Sequence, residues 1–380
     1  MRDLTATDAR NAVLGGGVFA CGGGGWEHHG VLMGGLATSV NTPVLATVDE
    51  LPADSWVATV AAIGAPAAAN WEIRPVDYVD ALRELMRLSE HPITAVMTGQ
   101  NGYSTTVNGW IQSSLLGVKV LDAAGDVRAH PTGKLGSLGL TTRPGYTTTQ
   151  VVSGGNRALH GHFLSVNTGL VTTCDDVLRD ISVRTGGFIA SARNVVELDW
   201  VKEHAAIGAI SLALDLGAAM ASELDSRRRN KGAAVVEAVL RETGGRVLAR
   251  GPLEHATPTV TRGGWDHGSF RVGDVTVPYL NEYMAVESGG ERLATYPDTI
   301  AILRADTGLP LAVKDAGEGG FDVVVVTVDA SSLPLASSAT DPVALAECED
   351  IMGIEFLRYL GSDLSTPNGP DGTTSTAPGA

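Results

Sequence analysis

Apolar positions along this chain repeat with two periods. Between Val76 and Leu88, the side chains Val79, Leu82, Leu85 and Met86 fall three and four residues apart, which gathers them on one helix face. Helices are expected on similar grounds over Thr5 to Leu14, Asn108 to Leu116, about Leu198 to Leu224, and Ala233 to Glu242, the last closed by Gly244-Gly245. Short β-branched or alanine-rich runs bounded by turn residues, Pro43 to Val48, Ser55 to Ile63, Ile93 to Met97 and Lys119 to Leu121, predict buried strands. Alternation of strand and helix predicts an N-terminal α/β domain with a mostly parallel sheet. In such a sheet the polar residues just past the strand ends line the ligand crevice. Thr98 to Asn101 and Asp122 to Arg128 take that position.

From Thr147 to Leu170 the pattern changes to short strands and glycine turns, which places the domain boundary there: residues 1–168, then 169–361. After its helices the second domain reads as β-rich, with runs at Arg246 to Arg250, Thr257 to Thr261, Gly268 to Val272, Val275 to Leu280, Glu282 to Glu287, Thr299 to Leu303 and Phe321 to Val328. The tail, 362–380, is mainly Pro, Gly, Ser and Thr and is expected to be disordered.

Composition narrows the class of partner. A 380-residue chain with 44% apolar and 18% charged residues is expected to fold as two compact domains. Its net charge of −16, with Arg227-Arg228-Arg229 as the sole basic cluster, argues against nucleic acid and anionic membranes, which demand clustered cations. Ala205 to Ala221 is alanine- and glycine-rich and contains Asp215, so it reads as a buried helix, inside one subunit or against a second in a homo-oligomer. Cys21, Cys174 and Cys348 are odd in number and form no CxxC pair. With no apolar signal stretch after Met1-Arg2-Asp3, a cytoplasmic setting is expected.

The candidate chemistry begins at Cys21-Gly22-Gly23-Gly24-Gly25-Trp26. A run of four glycines lets backbone approach a ligand or turn its N–H groups onto an anion, and it also marks ordinary turns. No Walker loop, GxSxG or GxGxxG with a ribose-binding acid is present, so no nucleotide cofactor is expected.

Further landmarks follow in order: Ile63-Gly64-Ala65-Pro66 with Glu72 after it, Gly99-Gln100-Asn101, Asp122 to Pro131, Asn281-Glu282, Tyr296-Pro297-Asp298 and Asp306-Thr307-Gly308. With the glycine run, they make the chain resemble the S-methyl thiohydantoin desulfurase family from about Asn11 to Leu360. That resemblance implies an N-terminal α/β domain, a β-rich C-terminal domain and metal-assisted hydrolysis or desulfurisation of a small cyclic amide, imide or thiohydantoin. The chain departs from the family pattern at four carboxylate positions. Trp26-Glu27 stands where Asp-Pro is usual, Val96 where a glutamate is usual, and Ala124 and Thr132 where acids are usual.

Such chemistry requires an activated water and donors for the developing charge. Gly22, Gly23, Gly24 and Gly25 are candidates for binding that charge. Asp122 is a candidate general base or metal ligand, or else a turn cap. His130 is a candidate base, and Asn101 a candidate partner of the ring amide. Arg128 suits a substrate carboxylate, or a salt bridge to Asp122 or Asp126. Glu72, Glu282 and Asp298 complete the substrate-binding candidates, the last two closing the cleft from the second domain. His28 and His29, with His160, His162 and His267 further off, are candidates to replace the missing carboxylates around zinc or another divalent ion. Cys21 is either a nucleophile or a small buried side chain. The alternative to an enzyme is a catalytically silent binding or accessory protein of the same family.

Overall fold

The structure, a computed structural model, describes residues 1–64, 68–262, 264–317 and 319–361. The proposed disorder of 362–380, and Ala65 and Pro66 of the turn singled out above, lie outside the described residues. The first domain is built on β1 (Arg2–Asp3), β2 (Val44–Ala46), β3 (Trp56–Gly64), β4 (Ile93–Thr98), β5 (Lys119–Ala124), β6 (Thr148–Gly154), β7 (Phe163–Gly169), β8 (Phe188–Glu197) and β9 (Ala206–Ile207). They form one sheet in the order β1-β2-β5-β4-β3-β8-β6-β7, with β9 on β5. Only the β2-β5, β5-β4 and β4-β3 pairs are parallel. The sheet is therefore mixed where a mostly parallel one was expected. The reason is β8, which enters antiparallel between β3 and β6 after the expected boundary.

The second domain carries β10 (Arg246–Arg262), β11 (Trp265–Val272), β12 (Val275–Leu280), β13 (Glu282–Tyr283), β14 (Ala285–Ser288), β15 (Glu291–Thr295), β16 (Thr299–Arg304) and β17 (Asp322–Val328). Their order is β15-β14-β12-β11-β10-β17-β16, all antiparallel, with β13 on β12. Alternate side chains such as Phe270, Val272, Val277, Ile302 and Val325 fill its core.

Two helices join the domains. Ala6–Phe19 opens on a capping box in which Thr5 Oγ1 accepts from Asp8 N (3.2 Å) and Asp8 accepts from Thr5 N (2.8 Å). It lies against Ala209–Asp225 in direct backbone contact, since a Cβ at Gly15 would stand 1.9 Å from Ala213 O and one at Gly217 1.9 Å from Asn11 O. On the far side Leu216 and Met220 meet Val235, Val239, Leu303 and Val324. The single helix expected over Leu198 to Leu224 is two, Leu198–His204 and Ala209–Asp225, separated by β9 and by Gly208 in the left-handed region. Strand β5 runs on to Ala124, so Asp122 lies within it instead of after it. Glu27–Val40 and Val171–Arg184 are additional helices. Among the described residues, no helix is long and apolar enough to cross a membrane. All three cysteines are buried free thiols.

Candidate functional site

A cavity of about 60 Å³ sits where the two domains meet. Its first wall is the glycine loop. Helix Ala6–Phe19 ends and the chain turns back through positive φ at Cys21 (47°), Gly22 (87°), Gly24 (67°) and Gly25 (84°) before helix Glu27–Val40 begins. The loop is pinned from both sides, because Cys21 O accepts from Tyr283 N (2.6 Å), Gly22 O from Val313 N (2.8 Å) and Gly24 O from Ser104 N (3.0 Å). Gly24 and Gly25 line the cavity. Gly22 and Gly23 lie behind them, where a Cβ would strike the Tyr283 ring (2.6 Å) and Glu282 Oε1 (2.0 Å).

Glu282 comes from the second domain. Asn281 takes φ 57°, a left-handed conformation that asparagine tolerates, and this tight turn between β12 and β13 carries Glu282 to the cavity. Burial pushes its carboxyl up to about 8, against the lowering effects of Arg128, Arg179 and the Gly24 backbone hydrogen bond. Its Oε2 has no protein partner. At neutral pH the group is mostly a protonated acid.

His130 faces the same cavity and is driven the other way. Its backbone N–H donates to Gln100 Oε1 (3.1 Å), its Nε2 lies 3.3 Å from Gly99 O, and the missing side chain of Gly136 leaves room for the ring. Burial brings its pKa down to about 4, so the imidazole is neutral, and Nδ1 has no protein partner. Two titratable groups displaced in opposite directions in one cavity are the pattern of an acid and base pair.

Positive charge completes the site. Arg193 on β8 pairs with Asp175 (Nη1 to Oδ1, 2.8 Å), both buried, and Thr132 Oγ1 donates to the other Asp175 oxygen (3.3 Å). Gly133 makes the pair sterically allowed, since a Cβ there would be 2.2 Å from Asp175 Oδ1. Arg179 donates to Pro131 O (2.7 Å) and Gly264 O (3.1 Å) and stacks 3.8 Å over Trp265, with burial holding its pKa below the usual value. Two guanidiniums against one carboxylate leave the cavity with excess positive charge, suited to an anion that develops during a reaction.

The structure thus brings Gly24, Gly25, His130 and Glu282 together and puts the other candidates elsewhere. Asp122 accepts from Ile210 N (3.1 Å), Ser211 N (2.9 Å) and Ser211 Oγ (2.6 Å), so it caps helix Ala209–Asp225. Asn101 is consumed by Ala209 O (2.8 Å) and Thr106 Oγ1 (3.2 Å). Arg128 spends its guanidinium on the carbonyls of Ala129, Tyr283 and Asp298 and so clamps the domains instead of facing a substrate. Its expected partner Asp126 accepts from Tyr296 Oη (2.7 Å). Asp298 accepts from Ala330 N (2.9 Å) and Thr295 N (3.2 Å), and Glu72 accepts from Arg74 Nε (2.6 Å) and Arg157 N (3.0 Å). Cys21 is buried, with its thiol pushed up to about 11. Asp122→Ala is expected to cost about 1 kcal/mol of stability as a lost cap while kcat stays within threefold of wild type, checked by urea unfolding and steady-state assay.

The metal candidates do not assemble. His29 Nε2 lies 3.2 Å from Tyr78 Oη, His28 stands exposed beside Trp26 and Trp71, and neither lines the cavity. His160 ends a short helix, and His162 precedes β7 and meets Ser153 Oγ (3.1 Å), so the two do not share a strand face. Among the described residues, no three His, Cys, Asp or Glu side chains gather as a metal site. Asp175 is committed to Arg193 and Thr132, leaving one imidazole nitrogen, His130 Nδ1, and one carboxyl oxygen, Glu282 Oε2, without a protein partner, beside the Thr105 hydroxyl, which is not a usual zinc ligand. This set falls short of the three or four protein ligands that hold zinc.

Asp175, Arg179 and Arg193 are absent from the sequence-based candidates. Val171, Cys174, Leu178 and Ile181 recur at three and four residues and mark the helix that carries the first two. Arg193 has no such signal, because a charged residue amid Phe188–Glu197 reads as solvent-facing.

Two family models match the chain in succession. Residues 7–159 match the family model described as S-Me-THD-like, N-terminal domain, and residues 171–340 match the S-Me-THD-like, C-terminal domain. A crystal structure of a protein from Chromobacterium violaceum is similar in fold, with 21% identity, a TM-score of 0.69, and coverage of 95% of this chain and 98% of that one. No curated protein matches the sequence.

Proposed function

Because the chain belongs to the S-Me-THD-like family, we propose that it is a hydrolase or desulfurase acting on a small cyclic amide or thiohydantoin-like ring in the cavity between its domains. The observation that carries this reading is that Glu282 and His130, brought from the two domains, line the same cavity, each buried and each with one polar atom left without a protein partner.

In the proposed reaction, a water oxygen bonds to the ring carbon that bears the leaving sulfur or nitrogen. His130 Nδ1 takes the water proton, and Glu282 gives its own to the departing atom as the carbon–sulfur or carbon–nitrogen bond breaks. As Glu282 ionises, its new charge raises the basicity of the imidazole in the same cavity, so the two proton transfers support each other. Arg179 and Arg193 stabilise the transient anion. Afterwards the imidazolium and the carboxylate exchange the proton back, and the enzyme is restored. The buried free thiols accord with a reducing, cytoplasmic setting.

The test is a panel of hydantoin, 2-thiohydantoin and S-methyl-2-thiohydantoin, with products read by mass spectrometry before and after dialysis against a chelator. Turnover of at least one ring, unchanged by the chelator, is expected. Saturable binding without turnover would favour the silent binding protein, and activity lost to chelator and restored by zinc would overturn the metal-free route.

A further inference from the structure

Strand β7 is the outermost strand of the first sheet and pairs only with β6 among the described residues. Its side chains are exposed or half-buried on both faces. Phe163, Leu164 and Val166 are exposed, as are Leu170 just after the strand and Val177 and Val183 on helix Val171–Arg184 beside it. An edge of this length with an apolar surface and open backbone donors and acceptors is a template for another strand, and soluble proteins usually blunt such edges with charge or proline. This one has neither: no Asp, Glu, Lys, Arg or Pro lies between His162 and Asp175.

We propose that β7 is the dimer interface of this protein, joining a second copy of the chain by antiparallel β7-to-β7 pairing across a two-fold axis near Val166. Charge selects the second copy. At a net charge of −16 most faces of the molecule repel their own kind, whereas the uncharged stretch after His162 does not. The helix that follows the strand adds no block of like charge to this seam, since Asp176 is paired to Lys134 (2.7 Å) and Asp180 lies four residues before Arg184. With Val166 on the axis, Leu164 meets Thr168 of the second copy, and the apolar side chains of each strand cover the other. Because Asp175 and Arg179 lie on the helix that follows β7, this contact also braces one wall of the cavity.

The full chain should sediment at micromolar concentration with twice the mass of one chain. Val166→Lys places two like charges at the axis and should shift that species to monomer with an unchanged circular dichroism spectrum, since the side chain is exposed. In a separate sample, Val166→Cys should form an intersubunit disulfide under mild oxidation, because directly opposed strand residues lie within disulfide reach and the native thiols are buried. A monomeric wild type overturns the proposal. So does a dimer that survives Val166→Lys, or a Val166→Cys dimer that does not cross-link.

Discussion

Glu282→Gln should lower kcat by about 10²- to 10⁴-fold, the range for loss of a positioned general acid, with KM changed far less because the amide keeps the shape of the carboxyl. The pH profile separates loss of the acid from loss of structure. In the wild type, kcat should fall above about pH 8, where Glu282 gives up its proton, and below about pH 4, where His130 gains one. The residual activity of the variant should lack the alkaline limb. Stability should move in the opposite sense. Between the ordinary carboxyl value of 4.5 and about 8, the folded protein holds a proton on Glu282 that the unfolded chain has released. By linkage, the Glu282 contribution to folding is fully present below pH 4.5 and is lost as pH rises through about 8. Glu282→Gln removes that slope, so urea unfolding at pH 8 should find the impaired variant more stable than the wild type. A variant that retains kcat within threefold would remove Glu282 from the chemistry.

The largest loss of stability is expected from Asp175→Ala. Both members of the Asp175 and Arg193 pair are nearly inaccessible to water, so removing the carboxylate strands a buried guanidinium. Breaking such a pair costs about 3–5 kcal/mol. The double variant Asp175→Leu with Arg193→Met should recover much of that loss by exchanging the pair for apolar packing, yet stay catalytically impaired because the cation over the cavity is gone. Urea unfolding and kcat measured on both proteins decide it. If the single variant loses under 1 kcal/mol, the pair is solvated and cannot act as a fixed charge in the site.

These two residues mark what was and was not readable from sequence. Glu282 and His130 were legible as candidates because both lie in landmarks that carry the family resemblance, Glu282 as a substrate-binding residue and His130 as a base; that Glu282 is a buried, unpartnered carboxyl was not legible. Asp122 and Arg128 were equally legible and bind backbone groups, because an acid or arginine at a strand end looks the same whether it faces a ligand or caps a helix. Only the fold separates the two cases: helix Ala209–Asp225 brings its first-turn N–H groups onto Asp122, and the second domain brings carbonyl oxygens onto Arg128. The parallel part of the first sheet followed from periodicity over the first 121 residues or so. What sequence order obscured was β8, whose placement depends on a long-range pairing with β3 that no local spacing encodes.

That strand bears on how such proteins can be recombined. Linear order suggests a cassette that ends near residue 168, yet a cut there would remove the strand lying between β3 and β6 and leave β6 and β7 without an attachment to the rest of the sheet. Fragments separated at this point should not fold alone, and chimaeras that swap halves between relatives should succeed only when the exchanged piece carries β8 along with the strands it joins.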